Sequence, residues 1–60
     1  MTKEQFKKVK ESLDIEDKVV LNKWIQWFYD SDRFLYYDFY DEVEVFIRTT
    51  FPAKHKELMK

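Results

Sequence analysis

Glycine is absent from this chain, and proline occurs once, at Pro52. Tight hairpin turns rely on glycine for backbone angles that a side chain disfavours, so no stretch here supplies a hairpin turn. The same absence removes every glycine-dependent phosphate cradle, the dinucleotide fingerprint and the P-loop included. The chain is left with helices joined by short connections as its simplest architecture.

A length of 60 residues predicts a single helical domain, 1–60, near the lower limit for folding without a staple. Cysteine is absent as well, which excludes disulfides, zinc–thiolate sites and cysteine nucleophiles. Large side chains favour folding instead. Aromatics make up 20% of the residues, and each can bury about 150–250 Å². No apolar run reaches the roughly 18 residues of a membrane span, and Met1-Thr2-Lys3-Glu4 does not begin a signal peptide. These features predict a cytoplasmic protein without a membrane partner.

The apolar spacing defines the elements. Thr2 and Gln5 form a capping box ahead of Phe6, Val9 and Leu13, which predicts a first helix over about 3–13. Asp14 caps the next, with Asp17 three residues on. Val20, Leu21, Trp24, Trp27 and Phe28 give that helix, about 15–30, one broad apolar face. Ser31 or Asp32 is the expected cap of a third helix over about 32–50. On its wheel Leu35, Tyr36, Phe39, Tyr40, Val43, Phe46, Ile47 and Thr50 share the inner face. The alternation Glu42-Val43-Glu44-Val45 leaves a strand over 42–49 as the rival. Phe51-Pro52 ends the third helix, and Ala53 to Met59 reads as a short fourth, with Leu58 and Met59 folding back. The expected fold is all-α: a compact three-helix bundle with a short C-terminal fourth helix.

Charge is segregated along the chain. Residues 1–13 carry four lysines against two acids, and residues 49–60 carry three lysines against one. Residues 32–48 carry five acids against two arginines, and eleven of the twelve aromatics lie between Trp24 and Phe51. The acidic and aromatic stretches therefore overlap.

Catalytic constellations are lacking. His55 lies in Ala-Lys-His-Lys-Glu, which reads as an exposed side chain on a polar tail with no partner to orient it. Asp38, Asp41, Glu42 and Glu44 cluster in sequence, but a hard cation needs a shaped loop, and a bundle-core site needs Glu-x-x-His. The expectation is a non-enzyme with no metal and no cofactor.

On the expected third helix, Phe34, Tyr37 and Val45 project among Asp38, Asp41 and Arg48. Phe34 and Val45 would stand about 20° apart on the wheel. Aromatics set among charges have the composition of a protein–protein hot spot. Phe34, Tyr37, Asp38, Asp41, Val45 and Arg48 are therefore the expected partner-binding residues, and the partner a protein or a second copy of the chain. Two alternatives remain open. The carboxylates Asp30, Asp32, Asp38, Asp41, Glu42 and Glu44 could mimic nucleic-acid phosphate and inhibit a nucleic-acid-binding protein. The Lys-rich ends, Lys3, Lys7, Lys8 and Lys10 with Lys54, Lys56 and Lys60, could bind nucleic acid weakly if they pack side by side. The near-neutral balance, a formal net charge of −1, makes nucleic acid the less favoured partner.

Overall fold

A computed structural model describes residues 1–58 of the chain. Its helices are α1 (Lys3–Ser12), α2 (Ile15–Asp30), α3 (Phe39–Thr50) and α4 (Pro52–Leu58), and a 3-10 turn (Arg33–Leu35) lies between α2 and α3. No strand occurs among the described residues. Residues 42–49 are helical, which removes the strand alternative. The proposed return of Met59 and the contribution of Lys60 to a basic patch lie outside the described residues. No described helix is long and apolar enough to cross a membrane.

The first three helices open with the same local device. The Gln5 N–H donates to Thr2 Oγ1 at 3.1 Å, and the Gln5 side chain accepts from the Thr2 N–H at 2.8 Å. The Asp17 N–H donates to Asp14 Oδ1 at 2.9 Å, and the Asp41 N–H to Asp38 Oδ2 at 3.1 Å. Each bond satisfies a backbone donor that has no intrahelical acceptor. Glu16, Asp17, Asp41 and Glu42 add negative charge at the positive helix ends.

The third helix corrects the sequence reading. It begins at Phe39 with Asp38 as its cap, rather than at Ser31 or Asp32. Asp32 instead takes left-handed angles, φ 61° and ψ 16°, and turns the chain out of α2. In a chain without glycine, aspartate is among the residues that adopt this conformation at least cost. Tyr36 and Tyr37 then bond back to the Arg33 carbonyl at 3.0 and 2.9 Å, and the helical register is broken before Asp38. Leu35 and Tyr36 were expected inside. They are 62% and 81% exposed, because the wheel that placed them does not run through residues 36–38.

Val9, Leu13, Leu21, Val43 and Ile47 form the buried core cluster. Phe28 is also fully buried. Its ring centre lies 5.4 Å from that of Trp24 and 5.6 Å from that of Phe39. Phe39 extends this aromatic layer to Phe6 at 5.4 Å, and Trp24 stacks on Phe46 at 5.1 Å. These rings join α1, α2 and α3. The inner stripe of α2 runs through Leu21, Trp24, Ile25 and Phe28, the i, i+3, i+4, i+7 spacing of a packed helix. Val20 and Trp27, expected on the same face, lie at its edge and remain exposed.

Pro52 starts α4, as its fixed φ and missing N–H suit a first helical position. The short helix folds back against α3 and α1. His55 is thereby drawn inward, not left on an exposed tail: its side chain is mostly buried, with Nε2 3.5 Å from Glu44 Oε2. The other carboxylate oxygen of Glu44 accepts from the Met1 ammonium. Glu44 is half-buried where α3, α4 and the start of the chain meet.

Candidate functional site

The early end of α2 shapes the surface that follows it. Asp32 redirects the chain, and the 3-10 turn sends consecutive side chains about 120° apart. Arg33 and Phe34 therefore leave in different directions. The Arg33 guanidinium carbon lies 5.4 Å from the Trp27 ring centre and 4.5 Å from that of Tyr37. Its Nη2 donates to Glu42 Oε1 at 3.0 Å. One cation thus ties together α2, the connection and α3 through two ring faces and a carboxylate.

Phe34 packs elsewhere. Its ring lies 5.4 Å from Tyr29, which stacks on Phe39 at 5.9 Å.

Beside Arg33, α2 and α3 leave an open groove of about 250 Å³. Trp24, Trp27, Val45 and Phe46 give it apolar walls. The Arg33–Glu42 pair lies near the start of α3, and Thr49 and Thr50 lie at the end of α3. The Thr49 hydroxyl donates to the Val45 carbonyl at 2.8 Å. That bond within α3 satisfies the hydroxyl proton. A larger hollow, about 520 Å³, is lined by Leu13, Asp14, Ile15, Glu16 and Lys18. All its lining comes from one short stretch, so it is the outer surface of the α1–α2 turn rather than a cleft between elements.

The expected site residues do not share one helical face. Val45 lines the groove, Tyr37 covers Arg33, and Phe34 belongs to the Tyr29 cluster. The 20° relation between Phe34 and Val45 does not exist, because the two residues are on different elements. Asp38 and Asp41 stand at the start of α3, where Asp38 holds the cap. Arg48 is exposed in the last turn of α3, where its charge complements the helix dipole, and it does not line the groove. Phe34, Tyr37 and Val45 are 45%, 50% and 48% accessible.

Trp27, Arg33 and Glu42 were missed. Trp27 falls on the apolar face that the spacing of α2 predicts, yet it is 50% exposed. The available signal was the helical period of α2: Leu21, Trp24, Ile25 and Phe28 already supply a full inner stripe, leaving Trp27 at its margin.

α1 and α4, which carry the described lysines of the two ends, pack against each other. Lys3, Lys7, Lys8, Lys10 and Lys56 are exposed, and Lys54 is half-buried. Comparison of the chain with protein-family models, curated proteins and solved structures finds no match.

Proposed function

We propose that this chain is a non-enzymatic, cytoplasmic interaction module that binds a protein through the aromatic surface around Arg33. The observation that carries the reading is the half-exposure of Trp27, Tyr37 and Val45 beside a fixed guanidinium and an apolar groove. Tyrosine, tryptophan and arginine dominate binding energy at protein interfaces because they combine large apolar area with a polar handle. Trp27 and Tyr37 are already held by Arg33, so less side-chain entropy is lost when a partner covers them. Phe34, Asp38 and Asp41 belong to the adjoining segments, and Arg48 stands apart in the last turn of α3.

The test compares wild type with a Trp27→Ala/Tyr37→Ala/Val45→Ala variant whose helicity has been verified by circular dichroism. Immobilised protein is exposed to source-cell lysate, and sedimentation is followed over rising concentration. A protein retained by wild type and lost by the variant, or self-association lost by the variant, supports the reading. Equal behaviour of the two forms overturns it.

The meeting of α1 and α4 favours a second reading, phosphate contact through Lys7, Lys8, Lys10 and Lys56. Nucleic acid retained at about 50 mM salt and released at about 200 mM would support it, because counterion release makes such binding salt-dependent. No retention at the lower salt would end it.

A further inference from the structure

We infer that the occupant of this surface is a basic polypeptide segment, one presenting arginine or lysine among apolar side chains. The inference rests on the interaction reading above and adds the chemistry of the partner. Between Asp30 and Glu44 the chain carries Asp30, Asp32, Asp38, Asp41, Glu42 and Glu44 against Arg33 alone. Two of these acids are already engaged: Glu42 by Arg33, and Glu44 by the Met1 ammonium and His55. Asp30, Asp32, Asp38 and Asp41 are exposed and form no ion pair with any described residue. They belong to the end of α2, the connection and the start of α3, the segments that also hold Trp27, Tyr37 and Phe34.

Charge complementarity therefore selects the occupant. A basic segment would supply the counter-charges these four aspartates lack, and its apolar side chains would cover the groove walls of Trp27 and Val45. Water excluded on docking would strengthen each charge contact. Arg33 shows the same chemistry within the molecule: a guanidinium is accommodated against Trp27 and Tyr37 and bonded to a carboxylate. Nucleic-acid phosphate would meet like charge. So would a second copy docking the same face in a two-fold contact, since it would bring a second set of the same uncompensated aspartates into the interface.

The experiment uses the full chain, immobilised, and three synthetic peptide pools. One pool mixes arginine and lysine with leucine, phenylalanine and proline. A second replaces the basic positions with glutamine and serine, and a third with glutamate and aspartate. Retention is quantified by mass spectrometry at about 50 and about 200 mM salt. Wild type should retain the basic pool preferentially, and less of it at the higher salt. An Asp30→Asn/Asp32→Asn/Asp41→Asn variant should retain it about tenfold less, since three modest exposed charge contacts are lost together. Asparagine tolerates the left-handed angles at position 32, and the Asp38 cap is left intact. A Trp27→Ala/Tyr37→Ala variant should lose retention.

Equal retention of the neutral pool, with no effect of the asparagine variant, would overturn the basic partner while leaving the aromatic face as the site. Basic peptides held equally by wild type and the Trp27→Ala/Tyr37→Ala variant would overturn both readings. Failure to retain any pool would overturn the basic partner, leaving the lysate and sedimentation comparison to decide the face.

Discussion

Asp38 accepts the Asp41 N–H at 3.1 Å, and this bond marks where α3 begins. The carboxylate satisfies an exposed helix-end donor and sits at the positive end of the dipole. Asp38→Ala should destabilise the domain by about 1 kcal/mol. The midpoint of thermal unfolding should fall by about 4–8 °C. Asp38→Ser should retain most of the stability. Identical melting of Asp38→Ala and wild type would show that the cap does not set this helix start.

Asp32 makes the opposite case, a residue whose replacement should help. Its φ of 61° is costly for a residue with a Cβ. Asp32→Gly removes that cost but adds backbone freedom to the unfolded chain. The balance predicts a gain of about 0.5–1 kcal/mol and a midpoint higher by several degrees. Asp32→Val should lower the midpoint, since a β-branched side chain fits this conformation poorly. A calorimetric series of the three proteins checks the order.

Glu44 predicts an acid sensitivity. The hydrogen bond from the Met1 ammonium is the main influence, and it holds the carboxyl below its ordinary value of 4.5. Burial opposes this, while the ammonium charge and His55 reinforce it. A carboxyl depressed by folding stabilises the native state fully above its unfolded value and loses that contribution as pH falls through the folded value. Wild type should therefore exceed Glu44→Gln in stability near pH 7, and the gap should narrow from about pH 4.5 downward. Denaturant titrations of both proteins across this range provide the measurement; parallel curves would rule out the linkage.

Phe28 and Val45 should separate folding from binding. Phe28 is fully buried, and truncation to alanine typically costs about 3–5 kcal/mol. A core this small rarely supplies more than about 3–5 kcal/mol in total. Phe28→Ala should thus be largely unfolded at 25 °C by circular dichroism. Val45→Ala, at a half-exposed groove position, should change stability by less than about 1 kcal/mol. A folded Phe28→Ala protein with native thermal stability would contradict the assigned core.

Arg33 offers a spectroscopic check on the surface itself. Arg33→Lys keeps the charge but lacks the planar fork that faces two rings and bonds Glu42. The indole N–H resonance of Trp27 should shift more than that of Trp24, with a stability loss of about 1 kcal/mol or less. Unchanged indole resonances would separate Arg33 from Trp27.

Much of the fold is determined by residue order, because helix starts and inner faces are short-range matters. Thr2 with Gln5 and Asp14 with Asp17 announce α1 and α2 through bonds spanning three residues. Pro52 announces the junction with α4. Asp38 with Asp41 carries the same signal. The apolar period from Leu35 to Ile47 masks it, because that period fits one continuous wheel. Only the tertiary structure decides that this wheel is broken: Asp32 turns the chain, the 3-10 turn packs on α2, and Leu35 and Tyr36 emerge into solvent. The same holds for Arg33 between Trp27 and Tyr37, and for His55 beside Glu44. These groups are brought together by side chains packing between elements. A helical period records which residues could face inward, whereas the geometry of packing decides which of them find something to face.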